Sequence, residues 1–275
     1  MPTTISQGIR IQFNDLSRGS PALLCLPGWC ENKTAFARLV PSCARAHRVI
    51  ALDWRGHGKS AYSSVDFGLQ ELVEDALAVI RATSVGTVIP VAVSHAGWVA
   101  LELRRRLGER VPRIVLLDWI LLDPPAEFLS LLGLLQDRER WLETREELFR
   151  RWIAGTDSAP VIRHIREELG SYGFEMWSRA AREIERAYGT HGNPLGALAQ
   201  LAPRVPALHL FSQPRDPKVL AAQEGFGKSN PWFKVKRLDG HSHFPALESP
   251  EAVAAAILDF ASAGQRRAGP LSTAG

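Results

Sequence analysis

A serine at position 94 stands in Val91-Ala92-Val93-Ser94-His95-Ala96-Gly97, between the apolar run Thr87-Val88-Ile89-Pro90-Val91 and a helical pattern from Trp98 to Leu107. A serine at a strand-to-helix turn, with small residues two positions to either side, reads as a nucleophile elbow. Glycines are usual at those positions; Ala92 and Ala96 add one methyl each, a modest departure where strand and helix pack closely around a strained serine. An elbow serine of this kind is followed along the chain by an acid and then a histidine. His243, in Gly240-His241-Ser242-His243-Phe244-Pro245, falls between the last strand pattern and the last helix pattern; Phe244-Pro245 reads as the turn that opens the closing helix, which favours His243 over His241. Two aspartates could orient the imidazole and stabilise its charged form. Asp118 ends a strand pattern and precedes Trp119, whereas Asp216 follows the strand pattern ending at Phe211, where most hydrolases keep their acid. The residues leave both open. The backbone N–H groups of His95 and Trp29 are the expected donors to an anionic oxygen. His241 and His243 have no third ligand at a recognisable spacing, so no metal is expected.

These groups need a scaffold, and the chain offers one. Ile9–Phe13 alternates as a strand, and Ala22–Leu26 is a short buried strand ending in Pro27-Gly28-Trp29-Cys30, with a sharp turn expected at Gly28. Thr34–Arg45 is predicted helical, His47–Leu52 a strand, and Leu69–Ala82 an amphipathic helix; Arg113–Asp118 is a further strand. Strands alternating with helices imply a mostly parallel central sheet with helices on both faces. From about Leu121 to Leu201 only helical patterns occur, and strands return at Val205–Phe211 and Phe233–Lys236 before a closing helix from Glu251 to about Ala261. The expected organisation is an α/β core from 1–120 and 202–263, a helical cap over 121–201, and a Gly/Ala/Ser-rich tail, 264–275, expected to be disordered. A cap inserted there would cover the carboxyl end of the sheet, where α/β sheets place their sites.

The 275 residues, 45% of them hydrophobic, suit one α/β domain with an insertion or two small domains. The net charge of +4 is spread out, and its densest run, Arg104-Arg105-Arg106, reads as a solvated helix face; no interleaved aromatics point to nucleic acid. Three cysteines, Cys25, Cys30 and Cys43, form no disulfide framework. With no apolar targeting segment and no long apolar span, a soluble cytoplasmic protein away from the membrane is expected, as a monomer or homodimer. Eight tryptophans are many for this length. Trp29, Trp119, Trp152 and Trp177 fall in the elbow-facing loops or the cap, and several flat faces over a catalytic base suit a planar aromatic substrate.

Leu26-Pro27-Gly28-Trp29-Cys30, Trp54-Arg55-Gly56-His57-Gly58, Val93-Ser94-His95-Ala96-Gly97-Trp98, Leu117-Asp118-Trp119, Glu139-Arg140-Trp141, Tyr172-Gly173, Phe211-Ser212-Gln213-Pro214 and His243-Phe244-Pro245-Ala246 follow one another along nearly the whole chain. In that order they resemble the cofactor-independent 2,4-dioxygenases of 3-hydroxy-4(1H)-quinolones, a branch of the α/β-hydrolase fold acting on unsubstituted, 2-methyl or 2-heptyl rings. The resemblance implies His243 as general base and Asp118, not Asp216, as its partner. Ser94 would hydrogen-bond the substrate without being acylated, Trp29 and His95 would flank the ring, and Trp152 would line the cavity, with Trp177 among the substrate-binding residues. The implied reaction joins an aromatic substrate to O2 with no cofactor and releases carbon monoxide and an N-acylanthranilate, a 2-alkyl quorum-sensing signal being the favoured substrate. Members acting on the methyl-substituted ring have histidines where this chain has Glu31 and Val93, so the pocket is expected to differ in polarity and size. A leucine run, Leu129, Leu131, Leu132, Leu134 and Leu135, reads first as helix core and second as a site for an alkyl tail. Two other functions fit the same residues: a serine hydrolase using Ser94, His243 and an acid, and a non-catalytic ligand receptor on the same fold.

Overall fold

A computed structural model describes residues 1–263; the tail expected to be disordered, 264–275, lies outside the described residues. Its strands are β1 (Thr3–Ser6), β2 (Ile9–Leu16), β3 (Ala22–Leu26), β4 (Val49–Leu52), β5 (Val88–Val93), β6 (Ile114–Leu117), β7 (Ala207–Phe211) and β8 (Phe233–Arg237). They form one sheet in the order β1-β2-β4-β3-β5-β6-β7-β8. The first two pairings, β1 with β2 and β2 with β4, are antiparallel, and the rest are parallel. Strands β3, β4, β5, β6 and β7 are buried at every position, as unbroken runs of Val, Ile, Leu and Ala require when helices cover both faces.

The helices are α1 (Val40–Cys43), α2 (Leu69–Ala82), α3 (Ala96–Leu107), α4 (Ala126–Leu135), α5 (Trp141–Trp152), α6 (Ala159–Glu167), α7 (Phe174–His191), α8 (Pro194–Ala199), α9 (Pro217–Ser229), α10 (Pro245–Glu248) and α11 (Pro250–Ser262). The sheet divides the core in two: α2 and α3 pack on one face, while α1 and α11 pack on the other with Phe36, Leu39, Val253 and Ile257. Helix α2 buries Leu72, Val73, Ala76, Leu77, Val79 and Ile80 along one stripe, each large aliphatic contributing roughly 1.5–3 kcal/mol. Asp75 lies within that stripe, fully buried, and pairs with Arg55 at 2.6 Å. The pair ties the loop after β4 to α2.

Several elements differ from the pattern reading. Between Thr34 and Arg45 a 3-10 turn (Lys33–Phe36) and the short α1 replace one helix, because Pro41 has no N–H to carry a helix through. Strand β1 has too little apolar alternation to be seen, and α9, with Gly225 and Gly227, lacks a strong helical stripe. Arg104 is not on a solvated face. It is buried and donates to the carbonyls of Gly108, Val111 and Pro203, closing the end of α3, while Arg105 and Arg106 pair with Glu102. Helices α4 to α8 occupy the interval between β6 and β7, with no strand there among the described residues. No described helix is long and apolar enough to cross a membrane.

Candidate active site

Ser94 follows β5 directly, at φ 51°, in the left-handed region that a non-glycine residue enters at a cost of about 1–3 kcal/mol. The turn is held from both sides. Ser94 N–H donates to Leu117 O at 2.8 Å, and Gly97 N–H donates to Ser94 O at 3.0 Å. A Cβ on Gly97 would lie 2.2 Å from the Trp119 ring, so only glycine lets that indole lie against the start of α3. Ala92 and Ala96 are buried without difficulty, which explains why methyls are tolerated there.

The neighbouring strand ends the same way. After β6, Asp118 has φ 47°, and its N–H continues the ladder to Leu210 O at 2.8 Å. Its buried carboxylate is shared between two tasks. Oδ2 accepts from the backbone N–H of Ser212 at 2.6 Å and of Gln213 at 3.2 Å. Oδ1 faces His243 Nδ1 at 2.8 Å. His243 N–H donates to Trp152 O at 3.0 Å, and its ring stacks on Trp152 with centroids 5.1 Å apart and planes 18° apart. The imidazole is 16% exposed, so it is neither free in solvent nor unsteered. Burial alone would lower its pKa; the hydrogen bond to Asp118 and the charges of Asp118 and Glu31 outweigh this and raise it. With Nδ1 turned to the carboxylate, Nε2 is the nitrogen left for a substrate.

Both groups open on a cavity of about 550 Å3. Gly28, Trp29, Ser94, His95, Asp118 and His243 form its polar end. Phe128, Leu131, Leu132 and Leu135 of α4, Leu148 of α5 and Trp177, Ala180, Ala181 and Ile184 of α7 form an apolar arm, and Trp152 lies between. Of the leucine run, Leu131, Leu132 and Leu135 therefore line the cavity, and Leu129 and Leu134 do not. Among the described residues the backbone N–H groups of Trp29 and His95 have no protein acceptor, which leaves them for an anionic oxygen. The left-handed residue of the Trp29 loop is Cys30, φ 58°, rather than Gly28. Its N–H donates to His57 Nε2 at 3.2 Å, and His57 Nδ1 lies 2.8 Å from Arg55 O, so the Arg-Gly-His-Gly stretch holds this loop in place. Burial pushes the His57 pKa down to about 4 and that of His95 to about 3, with the neighbouring His243 lowering His95 further. His95 Nδ1 accepts from Trp119 Nε1 at 3.3 Å, and its ring stacks on Phe128.

Of the two acids left open, Asp118 pairs with His243. Asp216 is exposed and caps α9, its Oδ1 accepting from Lys218 N–H at 2.8 Å. His241 is exposed at the rim, and among the described residues no group of three or more potential metal ligands occurs. Glu31 is buried on the cavity wall, takes a hydrogen bond from Gly28 N–H at 3.0 Å, and lies 3.8 Å from His164 Nε2. That second carboxylate–imidazole contact joins residues 133 positions apart and left no trace in spacing. The same holds for His209 and Phe128, which also line the cavity.

A left-handed serine after the fifth strand, an aspartate after the sixth and a histidine before the closing helices define an α/β-hydrolase-fold site. The match to the alpha/beta hydrolase family spans residues 23–256. A 2-heptyl-3-hydroxy-4(1H)-quinolone dioxygenase of Mycobacteroides abscessus is 38% identical over 94% of this chain and 97% of its own. The 1H-3-hydroxy-4-oxoquinoline 2,4-dioxygenase of Pseudomonas putida is 38% identical over 88% of this chain and 91% of its own. An AqdC variant solved with its substrate, from work on ring cleavage of the Pseudomonas quinolone signal, superposes with a TM-score of 0.92 at 37% identity, covering 96% of this chain and 99% of that one. The chain belongs to the 3-hydroxy-4(1H)-quinolone dioxygenase branch of the alpha/beta hydrolase family.

Proposed function

We propose that this protein is a ring-cleaving dioxygenase of 2-alkyl-3-hydroxy-4(1H)-quinolones that works without a cofactor. The observation that carries the reading is the His243–Asp118 pair at the mouth of an aromatic and apolar cavity. His243 Nε2 takes the proton of the substrate 3-hydroxyl, and Asp118 holds the ring and stabilises its charged form. The N–H groups of Trp29 and His95 and the Ser94 hydroxyl bind the resulting anion. No hydrogen bond joins Ser94 to the His243 ring among the described residues, which suits a serine that binds substrate rather than attacks it.

The electron-rich anion passes an electron to O2, and the two radicals couple to a peroxide at C2. The peroxide attacks the C4 carbonyl; the bonds from C3 to C2 and to C4 break, and C3 leaves as carbon monoxide. One atom of O2 stays at C2 as the amide carbonyl and the other at C4 in the carboxylate, so the products are an N-acylanthranilate and CO. The helices of 121–201 act as the cap that keeps water from this chemistry. The arm of Leu131, Leu132, Leu135 and Ile184 takes the 2-alkyl group, gaining about 0.8 kcal/mol for each methylene buried.

The test uses protein treated with a chelator and 3-hydroxy-4(1H)-quinolones of increasing 2-alkyl length. Oxygen uptake and CO release in equal amounts, with both atoms of labelled O2 in the acylanthranilate, are the expected result. Product formed without O2 uptake would return the site to hydrolysis, and binding without turnover would make it a receptor.

A further inference from the structure

Behind the catalytic pair lies a second polar pair that the proposed chemistry does not use. From it we infer that His209 is a positioning residue for Asp118, with Gln223 accepting the proton on its other ring nitrogen; this rests on the reading of His243 as the base. His209 lies on β7 opposite Leu116 of β6, and both it and Gln223 of α9 are 1% exposed. The backbone N–H of Trp119 donates to His209 Nε2 at 3.2 Å. His209 Nδ1 lies 2.7 Å from Gln223 Oε1. Trp119 N–H is only a donor, so Nε2 holds the lone pair and Nδ1 the proton, which Gln223 Oε1 accepts. Both nitrogens are spent on the protein, so His209 offers the cavity no polar group although it borders it.

What the ring holds is the strained turn. Asp118 is the left-handed residue, and Trp119 comes next. Two successive amides of this turn are thus tied to β7. Asp118 N–H goes to the main chain at Leu210 O, and Trp119 N–H goes to the side chain of His209. Without an acceptor the Trp119 amide would be buried and unpaired, and the turn could relax toward an ordinary φ. The carboxylate would move with it, away from His243. The lock requires a neutral ring, and burial supplies this by pushing the His209 pKa down to about 4 against the opposing influence of Gln223 and Asp118.

The contact can be broken in two ways and read without turnover. His209→Leu removes the acceptor. Expected are a kcat lower by about 10²-fold with KM nearly unchanged, the effect of a base displaced by an ångström, and a fall in the His243 pKa seen by ring 15N NMR. Three groups face His243: Asp118 from the turn after β6, Glu31 from the loop after β3, and His95 at the start of α3. Only Asp118 is moved by this substitution. Gln223→Glu is nearly isosteric and puts a carboxylate against Nδ1. It raises the His209 pKa, and once the ring is protonated Nε2 becomes a donor facing another donor. Expected is a new loss of kcat on acidification, coincident with His209 protonation followed by NMR. A folded His209→Leu protein with wild-type kcat and an unmoved His243 pKa overturns the inference. So does Gln223→Glu protein that keeps wild-type kcat at a pH where His209 is charged. Failure of the underlying reading has a different signature, namely full turnover by His243→Ala.

Discussion

The elbow side of the cavity and its closing-loop side each present one buried imidazole, and the two are driven in opposite directions. His95, after the serine, packs among Phe128, Trp119 and Tyr188 and meets no carboxylate among the described residues; burial and the nearby His243 push its pKa to about 3. His243 is desolvated too, yet Asp118 at 2.8 Å and the charge of Glu31 reverse the outcome and raise its pKa above 6.5. The same side chain is held neutral in one place and has its charged form favoured in the other. What separates them is where the sheet delivers a carboxylate, and the left-handed turn after β6 makes that delivery.

The strongest way to break this contrast is to remove the imidazole that Asp118 holds. His243→Ala is expected to lower kcat/KM by about 10²–10⁴-fold, the usual contribution of a general base, measured as O2 uptake. Next is Asp118→Asn, which keeps the shape and removes the charge. Its loss is about 10²-fold if the ring drifts by an ångström, and the acid limb of its pH–rate profile moves to lower pH because the group that raised the His243 pKa is gone. The same substitution has a signature in stability. The folded His243 pKa is raised, so its stabilisation is fully present below 6.5 and is lost as pH rises through the folded value. The melting temperature of Asp118→Asn protein therefore lies furthest below wild type at pH 6.5 and below, and the gap narrows as pH rises through the folded His243 pKa. A gap that widened with pH would contradict the pairing.

Much of this site is legible in the amino-acid sequence. Ser94 and Asp118 each sit where a strand pattern stops, readable because buried parallel strands are continuous apolar runs, and His243 stands between the last strand pattern and the closing helix pattern. The choice between Asp118 and Asp216 was not readable from pattern. Both follow strands, and only the fold shows that one turns its carboxylate under the histidine while the other caps α9. The supporting residues were less visible still. His57, His209 and Glu31 act through contacts 27, 90 and 133 positions away, set by strand order rather than by spacing. The basic run on α3 misled in part because Arg104, inside a solvated-looking triplet, spends its guanidinium on three buried carbonyls. The leucine run of α4 is helix core as first read, with Leu132 and Leu135 buried, and the same two residues also line the cavity.

The finest test of the contrast is a substitution on the quiet side. His95→Gln keeps an amide acceptor for Trp119 Nε1 and removes the imidazole. A neutral side-chain hydrogen bond is worth about 0.5–1.5 kcal/mol, so kcat/KM is expected to fall by no more than about tenfold. The position of the acid limb is the sharper readout. His95 is neutral from about pH 3 upward, so it carries no charge at any pH where His243 changes protonation. Its removal should leave the limb where wild type has it, while Asp118→Asn shifts it. A limb that moved with His95→Gln would mean that the two imidazoles titrate as a coupled pair, which would break the contrast between them.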